Sequence, residues 1–241
     1  MSAYYNEHDA TQIAALYVQE GGCYFGLPGI EPWGEARDAR MYGGPYPVIA
    51  HPPCQRWGKM WKGQPGNIKA GKVERKGDDQ GCFKSALSDV RRFGGVLEHP
   101  EHSHAWAHFG LAKPPRQGGW IEAGDGYGWT CRVEQGQYGH YCPKPTWLYA
   151  VGVDPLPELQ WGVHPVTDDM FPAEAMAKHG RAYCRKAGVM AFKGGGKNSS
   201  ARIATPPEFR DLLIEMASRC KRISTPNAKR AAPVKGPLFL L

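Results

Sequence analysis

One run constrains this chain more than any other: Pro47-Val48-Ile49-Ala50-His51-Pro52-Pro53-Cys54. Val48 and Ile49 are β-branched neighbours in a short apolar stretch, which reads as a buried strand. Pro52 and Pro53 lack the amide donors that a helix or a ladder needs, and they push the residues before them into extended backbone. The chain therefore has to leave the sheet at His51. Cys54 is expected just past the carboxyl end of a strand, the edge of an open α/β sheet at which ligands collect. A loop thiol can equally be a small, inert, buried hydrophobe. Of the seven cysteines, Cys54 is the one with a stereochemical reason to be a nucleophile.

Phe83, Ala86, Leu87 and Val90 fall at i, i+3, i+4 and i+7, which predicts an amphipathic helix over 83–93. Gly94-Gly95 ends it, and Val96-Leu97 predicts a second short buried strand that runs into Glu98-His99-Pro100. Strand, crossover helix and strand make a βαβ unit. Val48–Ala50 and Val96–Leu97 are therefore expected as parallel neighbours, with Cys54 and Glu98 on one sheet edge. A carboxylate beside a thiol in a cleft can hold a base or carry a proton, whereas an isolated strand-end glutamate is merely solvated.

Upstream, residues 8–20 predict a helix capped by Asp9, with Ile13, Leu16 and Tyr17 at helical spacing. Cys23-Tyr24-Phe25 predicts a strand, and Glu35 to Tyr42 a short solvated helix. Residues 58–80 place Lys59, Lys62, Lys69, Lys72, Arg75 and Lys76 among glycines, near Trp57 and Trp61. Cations neutralise phosphates and indoles stack on bases, so this loop suits a nucleic-acid strand; its alternative is plain solvated surface. His99, His102, His104 and His108 raise a metal reading, but no carboxylate-helix signature of a zinc site accompanies them, and no metal is expected.

Downstream, residues 113–145 read as turns and short strands, and Lys144-Pro145-Thr146-Trp147 opens another strand. Residues 151–196 are proline-spaced, with a helix near 173–186, and suggest a small inserted recognition-like region. Residues 202–218 predict a helix capped by Thr205, with Phe209, Leu212, Leu213 and Met216 as its apolar face. The expected organisation is one α/β domain over 1–222 and a basic, disordered tail over 223–241.

A net charge of +7 fits an anionic partner, nucleic acid foremost. The cysteines form no CxxC pair and no signal segment precedes them, so reduced thiols in a bacterial cytoplasm are expected. No apolar run approaches the roughly 18 residues of a membrane span.

In this order, the islands resemble the catalytic half of DNA cytosine-5 methyltransferases, particularly phage-borne ones. Pro52-Pro53-Cys54-Gln55 is similar to the family's Pro-Cys-Gln motif, and Leu97-Glu98-His99-Pro100 to its Glu-Asn motif. Gln137-Tyr138-Gly139 followed by Lys144-Pro145-Thr146 resembles the later base- and backbone-contacting motif, and Arg202 to Pro207 the last motif before a closing helix. The chain is also similar to phage and prophage proteins with the same HPPC, LEHP and KPTW series.

The resemblance implies a Rossmann-like parallel-sheet core, truncated and methyltransferase-like, with loop-rich insertions. It implies that Cys54 attacks C6 of a pyrimidine for transfer to C5, while Glu98 holds N3 and the exocyclic amine. His51, Gln55, Arg56, His99, Lys144 and Thr146 would lie around the substrate, and Lys59, Lys62, Lys69, Lys72 and Arg202 along the DNA. Two departures stand out. His99 replaces the motif's asparagine, and Phe25-Gly-Leu-Pro-Gly29 does not match the Phe-x-Gly-x-Gly loop for S-adenosylmethionine. That loop should lie two βα units upstream of the cysteine, some 50 residues, since each βαβ takes about 30. Only 23 residues separate Gly29 from Pro52, so the cofactor is left open. The expected activity is base modification of DNA through a cysteine adduct. The alternatives are an inactive DNA- or protein-binding module and a thiol enzyme acting on free nucleotides.

Overall fold

The computed structural model describes residues 12–58, 61, 69, 75–193 and 200–221. Its centre is a mixed seven-stranded sheet in the order β2-β1-β3-β4-β7-β6-β5. The strands are β1 (Ile13–Leu16), β2 (Ile30–Trp33), β3 (Val48–Ala50), β4 (Gly95–Pro100), β5 (Ile121–Glu122), β6 (Trp129–Glu134) and β7 (Pro145–Val151). β1 to β4 run parallel, while β7 is antiparallel to both β4 and β6. The helices are α1 (Cys82–Phe93), α2 (His104–His108), α3 (Ala173–Ala187), α4 (Ser200–Ile203) and α5 (Pro207–Ser218).

The βαβ expectation holds. Val48 to Ala50 pair in parallel register with Gly95 to Leu97, and α1 is the crossover. Gly95 has to be glycine, because its φ is 121° and a Cβ there would lie 1.9 Å from the Val48 carbonyl oxygen. One sheet face packs Ala14, Leu16, Val48, Ala50 and Leu97 against Phe83, Leu87 and Val90 of α1 and Trp106 of α2. The other packs Ile13, Ala15, Ile49 and Val96 against Phe209, Leu213 and Met216 of α5. Strand alternation sends successive residues to opposite layers.

The upstream expectations need correction. Residues 13–16 form a strand, not part of a helix, and all four are buried. A short run covered on both faces carries no periodicity that separates strand from helix; pairing with β2 and β3 decides it. Cys23–Phe25 are turn residues, and the strand comes later, at Ile30–Trp33. β2 tolerates Pro32 because it is the edge strand. The predicted helix over 35–42 shrinks to a 3-10 turn at Ala39–Met41. Thr205 is not a cap: Pro206 flanks α5 and no side chain caps it. The two adjacent prolines also split off α4 as a separate short helix.

These corrections change the spacing argument. The connections 17–29 and 34–47 contain no α-helix, so two parallel strands fit upstream of Cys54 without two full βα units. The chain steps outward from β1 to β2, then crosses back to β3 on the other side of β1. The crevice beyond the carboxyl ends of β1 and β3 is thus a topological switch point, and Cys54 lies beside it.

The Cys54 turn is pinned at its far end. Trp57 is buried, and its indole N–H donates to Asp79 Oδ2 at 2.8 Å. The same carboxylate accepts from Phe83 N at 2.8 Å and Gly81 N at 3.0 Å, so Asp79 also satisfies the first turn of α1. His104 N donates to the Trp57 carbonyl at 2.9 Å, and Gly77 N to that of Arg56 at 3.0 Å. Asp79→Ala should cost about 2–3 kcal/mol, a lost cap of about 1 plus an orphaned indole donor. A shift in the urea midpoint of less than that of an ordinary surface change would refute this coupling.

Candidate functional site

The site grows from three strand ends. β3 delivers His51 and then Cys54, and β4 delivers Glu98. β7 runs the opposite way, so its entry, Lys144 to Thr146, meets the same edge, with Thr146 opposite Pro100.

Glu98 is the hub. Its side chain is 12% exposed and both oxygens are engaged. Oε2 lies 3.2 Å from His51 Nδ1, and Oε1 accepts from Gln135 Nε2 at 3.1 Å. Gln135 Nε2 also donates to Thr146 Oγ1 at 2.9 Å, and that hydroxyl donates to the Lys144 carbonyl at 3.1 Å. On its other side, His51 Nε2 meets the Tyr24 hydroxyl at 2.9 Å. Burial by itself would raise the Glu98 carboxyl, but the hydrogen bond from His51, with the Lys144 charge behind it, holds it below the ordinary carboxylate range. Burial pushes the Tyr24 phenol well up, so it keeps its proton. The tautomer that satisfies every partner has His51 donating from Nδ1 to the carboxylate and accepting the Tyr24 O–H at Nε2.

Cys54 is half-buried. Burial raises its thiol pKa first and the Glu98 charge adds to that, while Lys144 and Arg202 pull it down. The resting group is therefore a thiol, and attack requires a proton acceptor. Lys144 is itself held down by burial, against the charge of Glu98. Its Nζ donates to the Ala204 carbonyl at 2.8 Å and the Ile203 carbonyl at 3.4 Å, which ties α4, and with it Arg202, to the rim of the cleft.

Below this shell lies a buried ionic chain. Arg132 is 3% exposed and bridges Glu101 (3.3 Å) and Glu134 (3.1 Å), with Nη1 on the Gly162 carbonyl at 2.5 Å. Glu134 also accepts from the Lys144 amide. Burial raises the Glu134 carboxyl, opposed by Arg132 and by that amide.

His51, Glu98, Gln135 and Thr146 are thus joined by hydrogen bonds, with Thr146 fully buried; Cys54 feels the Glu98 charge and those of Lys144 and Arg202. Gln55 is exposed on the turn, and Arg56 is half-buried behind it. Lys69 is exposed; Lys59, Lys62 and Lys72 lie outside the described residues, as does the tail over 223–241. His99 is a correction. Its side chain is sealed in the core, against Phe83 at 5.1 Å and Trp106 at 6.3 Å, so it lines no substrate surface. Alternation along β4 explains this: Glu98 takes the cleft and His99 the α1 face. Tyr24, Gln135, Glu134 and Arg132 were not legible as site residues. Only their placement by distant segments reveals them, and no local motif marks them. Among the described residues, no three metal-ligating side chains group together.

His99 carries a pH prediction. The Pro52 and Pro53 backbone lies beside its ring, yet neither ring nitrogen makes a hydrogen bond of ordinary geometry. Burial pushes its pKa from 6.5 down to about 4. The unfolded chain then binds the proton first as pH falls. The stabilisation that depends on neutral His99 is complete above about pH 6.5 and is lost on the way down to about pH 4, worth about 3 kcal/mol. His99→Phe should flatten that acid limb in urea titrations with little effect at pH 7; an unchanged limb would refute the assignment.

The crevice after β1 does not form the glycine cradle expected for S-adenosylmethionine. Tyr17 occupies its left-handed turn with φ 60°. Tyr24, 2% exposed, closes the space between the loop and His51. Glu20, the acid of the loop, accepts from Ala36 N at 3.2 Å. No protein-family model, no curated protein and no solved structure matches this chain.

Proposed function

We propose that this chain is a methyltransferase-like enzyme that modifies a pyrimidine base of DNA through a covalent Cys54 adduct. The observation that carries the reading is the placement of a thiol and a fully engaged carboxylate at the ends of two adjacent parallel strands, with Lys144 entering the same edge on β7. A base inside a duplex has to leave the stack to reach such a cleft.

The steps follow from the protonation states. The Cys54 proton passes to the Glu98 carboxylate as sulfur adds to C6. Glu98 passes that proton on to N3, where charge develops. The C5–C6 double bond is consumed and C5 becomes electron-rich toward a one-carbon electrophile. The donor's leaving group departs with its electron pair as C5 takes the carbon; the C5 proton then goes to water, sulfur is expelled from C6, and the N3 proton returns through Glu98 to the departing sulfur, which restores the double bond and the Cys54 thiol. His51 and Tyr24 keep Glu98 anionic and correctly turned at the start of the cycle, and Lys144 and Arg202 offset the charge that builds on sulfur.

The poor fit to S-adenosylmethionine favours a second reading, a methyltransferase-like module that binds DNA without modifying it. Mass spectrometry of nucleosides from host DNA, with and without expression of the chain, separates the two. A new modified pyrimidine that disappears in Cys54→Ala supports the enzyme; an unchanged nucleoside profile leaves the binding module.

A further inference from the structure

We propose that the open pocket on α3 is a second binding site, for one unstacked base of a single nucleic-acid strand, with flanking phosphates on Lys178 and Lys186. The pocket has a volume of ≈ 290 Å³ and is lined by Pro172, His179, Tyr183, Met190 and Phe192 among others. That is the small end of ligand pockets, room for one planar ring rather than a folded ligand.

The walls suit a ring. His179 and Tyr183 lie with centroids 4.8 Å apart and planes 32° from parallel, and Tyr183 is 53% exposed. Gly180 interrupts the helix between them, with φ 73° and ψ 161°. Aromatic side chains that stand out of a helix beside an open pocket give a base a face to stack on, whatever its identity.

The charges suit a strand rather than an apolar peptide. α3 carries exposed Lys178, Arg181, Arg185 and Lys186 against one acid, Glu174. Arg181 and Arg185 are engaged by Asp168. Lys178 and Lys186 make no ion pair among the described residues. Each lies three residues from a pocket-lining position, Ala175 and Tyr183, and so flanks the opening on the helix surface.

The floor of the pocket packs against the segment that leads into Lys144. Its floor residues Cys184, Ala191 and Phe192 share one hydrophobic cluster with Cys142. Cys142 precedes Lys144 by two residues, next to the exposed Tyr141. In this proposal one strand engages both the Lys144 side of the Cys54 site and α3. The proposal rests on the reading of the cleft as a nucleic-acid site for the nature of the polymer, not for the chemistry.

The test is equilibrium binding of a fluorescein-labelled single-stranded DNA oligonucleotide to the full chain across a salt series. Tyr183→Ala should weaken binding roughly five- to a hundredfold, with the salt slope unchanged, and Tyr183→Trp should recover it. Lys178→Ala with Lys186→Ala should make the slope of log K against log salt shallower by about 1.4. The nucleoside profile of host DNA reports the Cys54 site separately from oligonucleotide affinity, so a cleft without chemistry and a pocket without a base give different results. Affinity of Tyr183→Ala within about twofold of the parent overturns the proposal, as does failure of Tyr183→Trp to recover or an unchanged slope in the double lysine variant. Capture of an apolar peptide by the pocket with no oligonucleotide binding at low salt would overturn it too.

Discussion

Cys54→Ala is expected to abolish base modification while leaving the fold intact. The side chain is half-buried, and removing one sulfur from such a position costs far less than deleting a buried Leu or Phe. Loss of the nucleophile removes the adduct altogether, so no partial activity should survive in the nucleoside analysis. Glu98→Gln probes the other half of the pair. The amide cannot take the thiol proton or stabilise charge at N3, and a lost charged hydrogen bond in a dry site raises the barrier by about 3 kcal/mol, roughly a hundredfold in rate. Thermal melts of both variants close to that of the parent, together with lost modification, would mark the effect as chemical. Modification that persists in Cys54→Ala would end the covalent reading.

Arg132→Ala should be the most destabilising single change outside the hydrophobic core. The guanidinium is 3% exposed, and Glu134 at 2% has no route to water once its partner is gone. Breaking a buried pair by removing one side costs about 3–5 kcal/mol, because the remaining charge is stranded. Part of that should return in Arg132→Met with Glu134→Leu, since an apolar pair of similar volume removes the stranded Glu134 charge, while Glu101, which is less buried, still loses its partner. The double change has its own consequence, as it frees the Lys144 amide that Glu134 holds and should loosen the rim of the cleft. Urea unfolding of the three proteins decides it. A single variant within about 1 kcal/mol of the parent would show that water reaches Glu134 after all.

How far the molecule could be read in advance depended on whether its signals were local. Two prolines after Val48–Ala50 end β3 by backbone chemistry alone, Gly94-Gly95 stops α1, and the helical period of Phe83 to Val90 declares its buried face. From those cues follow the parallel pairing of β3 with β4 and the placement of Cys54 and Glu98 on one edge. β1 was not readable in this way. Ile13–Leu16 is helical in propensity and becomes a strand because β2 and β3 satisfy its backbone on either side.

The same division runs through the site. Sequence alone determined which thiol and which carboxylate stand at neighbouring strand ends, since both positions are dictated by proline and glycine. Only the tertiary structure decided how the carboxylate is held. Tyr24 reaches it through His51 from 27 residues upstream of that histidine, and Gln135 from 37 residues beyond Glu98. It also decided that His99, adjacent to Glu98 in the chain, turns into the aromatic core while Glu98 faces His51 and Gln135. Strand geometry sends neighbouring side chains to opposite faces, and what waits on each face is set by segments far away in sequence.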